Sequence, residues 1–241
     1  MKSKQKLKLN GEKALEQGIF GVPTLVLEGT LFWGFDSTDM ALEYISDPRL
    51  FSSSEMKRKP LNLLMNEMEG VIHLISKIKK SNMKAFNKLC ERSLRSIKNG
   101  NKIIFFGNGG SASDSQHLAA ELVCKYKKIR KAIPAISLST DTSILTSIGN
   151  DIDFKFIFSR QIEAVGRPGD IAIAITTSGN SLNLIEGVKV AKKKKILTFC
   201  FSGNNGGKLK KYVDYSIIVP SKITSQIQVA EILIGQTFCE F

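Results

Sequence analysis

The sequence lacks the features that mark membrane-spanning or secreted proteins. No apolar stretch is long enough to cross a bilayer, and the basic N-terminus, MKSKQKLKLN, has no apolar segment of the kind found in signal peptides. The cysteines are far apart and form no CxxC pair, which is typical of reduced and mostly buried thiols; they are Cys90, Cys124, Cys200 and Cys239. We therefore expect a cytoplasmic protein.

Acidic side chains are scarce relative to basic ones, with 22 Asp and Glu against 35 Lys and Arg and a net charge of +13. Such an excess occurs in nucleic-acid-binding proteins, but no basic motif with interleaved aromatic residues is present here. The lysine runs 192–195 and 208–211 fall at predicted helix ends, where the helix dipole favours cations. We interpret the charge as a solvated surface that also attracts phosphorylated substrates, and we expect no nucleic-acid or membrane partner.

The 241 residues allow one full domain and a smaller appendage. Residues 1–45 predict a helix, a hairpin and a second helix, and the hairpin joins Thr24–Leu27 to Leu31–Trp33 through a turn at Glu28 and Gly29. Residues 46–60 contain two prolines and three consecutive serines, which is typical of a linker. The remaining residues, 61–241, form the predicted main domain.

The main domain alternates apolar runs with helical patterns. Helical stripes cover 61–79, 82–98 and 223–240. Five runs are apolar throughout, as buried parallel strands are; they are Ile103–Phe106, Ala135–Leu138, Ile171–Ile175, Ile196–Phe199 and Tyr215–Val219. The pattern predicts an α/β fold in which a five-stranded parallel sheet lies between two layers of helices, a flavodoxin-like three-layer arrangement.

The most informative segment is GNGGSASDSQHLAAELVCKY, which begins at Gly107 directly after the first apolar run. A strand, a glycine turn and a helix start in this order favour the binding of an anion by free backbone N–H groups. His117 and Glu121 are four residues apart, so they lie on one helical face. The pair is either an ordinary surface pair or a base or metal site; the adjacent glycine turn favours the second interpretation.

Two further strand ends are rich in small polar residues, namely Thr176–Ser181 and Ser202–Gly207. Ligands of open α/β sheets bind beyond the carboxyl ends of the strands. Hydroxyl groups and backbone amides at a helix start suit a phosphate dianion. Together with the first glycine turn, these segments predict a site for a phosphorylated small molecule.

Four motifs in this order, GNGGSASDSQHLAAEL, LSTDTSILTSIGND, FSRQIEAVGRPGD and ITTSGNS, resemble those of the phosphoheptose isomerases of the SIS (sugar isomerase) family. The resemblance extends from about Leu61 to Phe241. It implies an aldose–ketose isomerase that converts D-sedoheptulose 7-phosphate to D-glycero-D-manno-heptose 7-phosphate through an enediolate, for the heptose of bacterial surface polysaccharide. It also implies a homotetramer with active sites at subunit interfaces, and a zinc ion.

The resemblance assigns roles to residues that match the family's motifs. Glu121 matches the catalytic base, and the metal ligands are matched by His117, Glu121 and Gln228. Substrate contacts are implied for four groups of residues. The first loop has Asn108, Gly109, Gly110 and Ser111, and the pair at the end of the second motif is Asn150 and Asp151. The phosphate loop has Thr176, Thr177, Ser178 and Ser181, and the last helix has Gln228.

One position departs from the family pattern. The family has a catalytic histidine eight residues after the glutamine of the last helix, where this chain has Gln236, and its only histidines are His73 and His117. An amide donates a hydrogen bond or lends a weak oxygen ligand, but it does not shuttle a proton near neutral pH. Glu231 is five residues earlier and should face another side of the helix.

Two hypotheses follow from this departure. The first is an isomerase in which Glu121 is the base, Gln236 occupies the histidine position and zinc dependence is open. The alternative is a catalytically weakened SIS protein that binds a phosphosugar or a protein partner, as does a relative that associates with the bacterial replication initiator.

The N-terminal segment has a separate resemblance. GIFGVPTLVLEGTLFWGFDSTDMALEYI is similar to the C-terminal part of DsbA-like thioredoxin-fold proteins of the 2-hydroxychromene-2-carboxylate isomerase type, and Val22-Pro23-Thr24 matches their cis-proline loop. The half that would carry their reactive site is absent. The segment is either an inactive thioredoxin-like remnant or the result of a misjudged start site before Met56 or Met65.

Overall fold

The computed structural model describes residues 24–27, 30–33, 60–78 and 82–241, with side chains from residue 63 onward. The chain divides into two units, Met1–Met65 and Asn66–Phe241. In the first unit, strands β1 (Thr24–Leu27) and β2 (Thr30–Trp33) pair antiparallel, which confirms the predicted hairpin. The predicted helices on either side of it and the linker 46–60 lie outside the described residues. The domain boundaries therefore stay predictions.

The second unit is built on a sheet of five parallel strands. The strands of this unit are β3 (Ile103–Gly107), β4 (Lys125–Tyr126), β5 (Lys128–Ile129), β6 (Ala135–Ser137), β7 (Ile171–Thr176), β8 (Leu197–Gly203) and β9 (Tyr215–Val219). The parallel sheet has the order β6-β3-β7-β8-β9, and β4 and β5 form a separate short antiparallel hairpin. The five predicted strands are confirmed, and β8 extends four residues beyond its predicted end.

Seven α-helices are described between Pro60 and Glu240. They are α1 (Pro60–Ile78), α2 (Met83–Lys98), α3 (Gly110–Val123), α4 (Thr142–Ile148), α5 (Ser159–Val165), α6 (Leu182–Lys193) and α7 (Thr224–Glu240). A π-helical turn (Gly149–Asp153) and a 3-10 turn (Phe154–Phe156) connect α4 to α5. The three predicted helical stripes correspond to α1, α2 and α7 within one residue at each end.

Helices cover both faces of the sheet. Ile104, Phe106 and Cys200 point toward α4, α5 and α6, while Ile103 and Phe105 point toward α2, α3 and α7 on the opposite face. Because successive residues of a strand point to opposite faces, both faces can be buried only when the strands are apolar throughout. The predicted three-layer α/β arrangement is therefore confirmed.

Two details differ from expectation. Lys208–Lys211 was predicted at a helix end, but the chain there forms only a 3-10 turn, Leu209–Lys211, because Gly206 and Gly207, both with positive φ, precede it. The hairpin β4–β5 carries no sequence signal, since strands of two residues are too short to show a period. No helix of the described residues is long and apolar enough to cross a membrane.

The register of the sheet brings the polar strand ends together. Gly107 of β3 lies beside Ile175 of β7, and Thr176 of β7 lies beside Ser202 of β8. Parallel strands end at the same edge, so the segments that follow β3, β7 and β8 are neighbours there. The three polar segments expected to hold a phosphorylated ligand thus meet at one edge of the sheet.

Candidate active site

The first loop runs from the end of β3 to the start of α3. Gly109 has φ +55° and ψ −124°, a conformation that residues with a side chain rarely adopt. A Cβ atom at Gly110 would collide with the amide of Gln228, so the absence of a side chain lets α7 approach the start of α3. The loop therefore presents the backbone N–H groups of a 14-residue helix, with Asn108 and Ser111 beside them.

The second loop joins β7 to α6. The hydroxyl of Thr176 accepts a hydrogen bond from the Gly179 N–H at 3.2 Å, and the Gly179 backbone, at φ +67°, packs against Gly206 and Gly207 of the third polar segment. Ser181 precedes α6, and its side chain makes no capping hydrogen bond. The N–H groups of Leu182 and Asn183 and the Ser181 hydroxyl thus remain available for an anion.

The two loops are connected by a pair of asparagine side chains. Asn108 donates to the side-chain oxygen of Asn183 at 2.9 Å, and Asn183 donates back to that of Asn108 at 2.9 Å. The same Asn183 oxygen accepts from the Leu184 N–H at 2.9 Å. Sequence reasoning missed Asn183, although a buried amide in the first turn of an otherwise apolar helix face is a usable signal.

A cleft of about 350 Å³ lies between these loops, and it is lined by Asn108, Ser181, Asn183 and the segment Asp153–Lys155, with Phe154 and Leu182. The Lys155 ammonium lies 3.0 Å from the Asp153 carboxylate. The cleft has the mixed polar lining of a small-molecule site. Asp153 and Lys155 are residues that sequence reasoning did not select.

The predicted pair Asn150 and Asp151 lies in the π-helical turn, where the Asn150 amide donates to the Asp151 carboxylate at 2.8 Å. Asp151 lines another cavity, of about 560 Å³, together with Arg160 and Gln161. The structure therefore places Asp151 beside the edge strand β6 and not in the cleft between the loops. Substrate contact by this pair stays a prediction.

His117 and Glu121 lie one turn apart on α3, as predicted, and the His117 Nε2 atom is 3.0 Å from Glu121 Oε1. The carboxamide of Gln236, from α7, donates to the same Oε1 at 2.9 Å. Glu121 is 9% exposed, and its other oxygen, Oε2, is buried with no partner among the described residues. The carboxylate is therefore held through one oxygen, while the second oxygen is buried and unpaired among the described residues.

The ends of α3 and α7 are fastened together beside this group. Arg130 donates to the backbone carbonyl of Cys239 at 2.6 Å and to that of Glu121 at 3.3 Å. The Cys239 thiol is fully buried, and burial, with the nearby charge of Glu121, raises the pKa of Cys239 to about 12. Arg130 was not found from the sequence, because its role depends on the packing of α7 against α3.

A second pair of carboxyl groups lies between α3 and α7. Glu231 is 1% exposed, and neither of its oxygens has a hydrogen-bond partner in the part of the chain that the structure describes. Burial first, and then the charge of Asp114, raises the pKa of Glu231 to about 8. Burial also raises the pKa of Asp114, against the charge of His117. Glu231 thus faces Asp114 and not Gln236, as its position on the helix predicted.

The predicted metal ligands do not fit zinc. Catalytic zinc sites use three side chains drawn from imidazole, thiolate and carboxylate. In the part of the chain that the structure describes, no three His, Cys, Asp or Glu side chains group closely enough to hold a metal. Gln228 lies against Gly110, and no hydrogen bond joins it to His117 or Glu121 among these residues. One imidazole and one carboxylate remain.

Comparison with known proteins gives a consistent result. Residues 68–203 match the family model of the SIS domain. The phosphoheptose isomerase of Aquifex aeolicus is 55% identical over 144 residues, which cover 60% of this chain and 75% of that protein. The phosphoheptose isomerase of Clostridium acetobutylicum is 45% identical over 181 residues, which cover 74% of this chain and 92% of that protein.

Solved structures agree with the sequence relatives. The structure of phosphoheptose isomerase GmhA from Neisseria gonorrhoeae superposes with a TM-score of 0.71 at 35% identity, covering 76% of this chain and 97% of that one. A phosphoheptose isomerase from Francisella tularensis gives a TM-score of 0.72 at 29% identity over 76% and 97% of the two chains.

Proposed function

The chain belongs to the SIS-domain family, among the phosphoheptose isomerases, and we propose that it interconverts D-sedoheptulose 7-phosphate and D-glycero-D-manno-heptose 7-phosphate. The observation that carries this proposal is the buried Glu121 carboxylate, held by Gln236 and His117 on α3, the helix that begins at the first polar loop. A phosphate-binding edge and a fixed carboxylate are what an aldose–ketose isomerase of a phosphorylated sugar requires.

The reaction moves a proton from C1 to C2 of the ketose through an enediolate. In this mechanism the unpaired Oε2 of Glu121 removes the C1 proton and returns it to C2, while the proton of the O1 hydroxyl passes to O2. A carboxylate is an effective base when it is desolvated and held in place. The contacts of Gln236 and His117 with Oε1 hold it without using the oxygen that takes the proton.

The developing oxyanion at C2 needs hydrogen-bond donors that are fixed before the reaction. In the proposed arrangement, His117, which is half-exposed beside Glu121, supplies such a donor. The phosphate binds the hydroxyls of Thr177, Ser178 and Ser181 and the start of α6. No step passes through a metal ion, because the side chains present do not form a zinc site.

We also propose that the chain assembles as a homo-oligomer, in the form of a tetramer. Met68 and Ile72 of α1 are 52% and 66% exposed. A separate groove of about 220 Å³ is lined almost entirely by apolar side chains of α1, α2, β9 and α7. Exposed apolar surface of this kind marks protein–protein contact. Light scattering after gel filtration measures the assembly; a monomeric mass would contradict it. The cytoplasmic location stays a prediction.

Turnover of sedoheptulose 7-phosphate by the purified chain, with Glu121→Gln beside it, tests the proposed reaction. General acid–base catalysis contributes about 10²–10⁴-fold, so we expect Glu121→Gln to lose at least about 10²-fold in turnover. Glu91→Gln is the matched control, because Glu91 is exposed on α2 and pairs only with Lys88. Equal turnover by the native chain and Glu121→Gln would contradict the assignment of the base.

The alternative function, a weakened SIS protein that binds a phosphosugar, gives a different result. It predicts no turnover by the native chain but a calorimetric binding signal with sedoheptulose 7-phosphate. The observation that favours it is Gln236, whose amide cannot carry a proton. Binding without turnover, together with turnover gained in Gln236→His, would replace the isomerase with this second function.

A further inference from the structure

The two contacts to Glu121 fall on the same atom. Gln236 Nε2 and His117 Nε2 lie 2.9 Å and 3.0 Å from Oε1. An ionised carboxylate accepts hydrogen bonds and donates none, so Gln236 must turn its NH₂ group, and not its carbonyl, toward Glu121. The reverse orientation would place two acceptor oxygens against each other at hydrogen-bond distance.

We propose that the Gln236 amide takes the place of a metal ion at Glu121, so that the native chain binds no zinc at this position. The amide N–H supplies a fixed partner for the carboxylate, as a cation would, at a point where the chain has only one imidazole to offer. The part of this inference that concerns metal content does not depend on the proposed reaction, whereas the catalytic part does.

The chemistry of the donor set supports this proposal. Zinc bonds to imidazole nitrogen at about 2.0–2.1 Å and to carboxylate oxygen at about 2.0–2.2 Å. To become a ligand, Gln236 would have to rotate its carbonyl oxygen toward the ion and give up its hydrogen bond to Glu121. An amide oxygen is a neutral, hard ligand that suits calcium or magnesium better than zinc. The free energy gained when the Gln236 oxygen coordinates zinc is therefore small, and the hydrogen bond from Gln236 to the Glu121 carboxylate is lost.

The surroundings fix the amide in this orientation. Gly235, the residue before Gln236, packs so closely on Leu118 of α3 that a Cβ atom there would collide with its side chain. Arg130 fastens the following turn of α7 through the Cys239 carbonyl at 2.6 Å. The backbone on both sides of Gln236 is thus held against α3. The amide therefore reaches Glu121 Oε1 without any movement of α7. We therefore assign Gln236 as a positioning residue.

Metal content and thermal unfolding test the inference without any use of substrate. The native full-length chain, Gln236→His and Gln226→His are stripped with a chelator, incubated with zinc chloride, desalted and analysed for zinc by mass spectrometry. Gln226→His is the matched control, since it makes the same change on α7 about 15 Å along the helix axis. We expect about one zinc per chain above the control only in Gln236→His, with a rise in its melting temperature.

Either of two results would overturn the proposal. One is a native chain that retains one zinc per chain above Gln226→His after desalting. The other is Gln236→His with no zinc above the control, which would show that Gln236 is not what excludes the ion. Loss of isomerase activity in all preparations would contradict the proposed reaction but would leave the zinc measurement intact.

A kinetic measurement tests the positioning role. Gln236→Met keeps the length of the side chain and removes the donor. A hydrogen bond to a charged group corresponds to about tenfold or more in rate, so we expect kcat to fall by about that factor while KM changes little. A merely structural role predicts instead a lower melting temperature with unchanged kcat for the folded fraction, and that outcome would contradict the role of the amide.

Discussion

The side chains of Asn108 and Asn183 are hydrogen bonded to each other in both directions, at 2.9 Å each. Asn108 belongs to the loop after β3, while Asn183 belongs to the first turn of α6, so the pair fixes the spacing of the two loops that flank the cleft. Asn183 is 3% exposed, so water has little access to its side chain.

A change at Asn183 should loosen this spacing. Asn183→Asp removes the donor to the half-buried side-chain oxygen of Asn108, which costs about 1 kcal/mol. We expect a loss of this size in the free energy of unfolding and a KM for the sugar phosphate that is several-fold higher. Urea denaturation and steady-state kinetics measure both quantities. Asn87→Asp, on the exposed face of α2, should change neither; native values for Asn183→Asp would contradict the linking role.

The Ser181 hydroxyl should contribute to phosphate binding and little to stability, because it makes no capping hydrogen bond in the free chain. Ser181→Ala should raise the KM for the sugar phosphate about tenfold, the value of one hydrogen bond to a charged group, and should weaken inhibition by inorganic phosphate equally. Ser143→Ala, on the exposed side of α4, is the control. An unchanged inhibition constant for phosphate in Ser181→Ala would place the phosphate elsewhere.

Burial of Glu231 makes the stability of the fold depend on pH. Its pKa is raised from 4.5 to about 8, so the folded chain holds a proton that the unfolded chain releases. Stability is therefore greatest below about pH 4.5 and falls as pH rises toward 8, by up to about 1.4 kcal/mol per pH unit. Above 8 this contribution no longer changes.

Glu231→Gln removes the titrating group and keeps the shape of the side chain. We expect this variant to lose less stability than the native chain between pH 6 and pH 8, as measured by urea denaturation at both values. Glu163→Gln, whose side chain is exposed, should retain the native slope. Parallel slopes for the native chain and Glu231→Gln would show that Glu231 does not hold its proton in the folded state.

The cysteines should differ sharply in reactivity. Cys124 is exposed, whereas Cys90, Cys200 and Cys239 are buried. Burial raises the pKa of Cys200 to about 12 and that of Cys90 to about 11, and the thiolate is the reactive form. We expect one fast equivalent of iodoacetamide labelling per native chain, absent in Cys124→Ser. Rapid labelling of a second cysteine in the folded chain would contradict the buried positions.

The strands of the sheet could be predicted from the sequence because parallel strands buried on both faces are apolar at every position, as Ile103–Phe106 and Ile171–Ile175 are. The turn after β3 could also be predicted from the sequence, because its Gly109 adopts a positive φ that glycine favours. These features are local, and each follows from the residues within a single segment.

The contacts that complete the site could not be predicted in the same way. Gln236 reaches Glu121 across 115 positions of sequence, and Arg130 reaches Cys239 across 109. Both depend on how α7 packs against α3. Glu231 belongs to a residue type that is seldom buried, so the sequence does not indicate that it packs against the face of α3 that carries Asp114. Long-range packing of polar side chains leaves no period in the sequence.

The central claim, that the free oxygen of Glu121 moves a carbon-bound proton, is tested most directly by isomerisation in D₂O followed by proton NMR. A base that exchanges its proton with solvent should place deuterium at C2 of the aldose product and at C1 of the recovered ketose. We expect this incorporation with the native chain and its loss in Glu121→Gln, with Glu91→Gln unchanged. Deuterium incorporation at the native rate in Glu121→Gln would contradict the account.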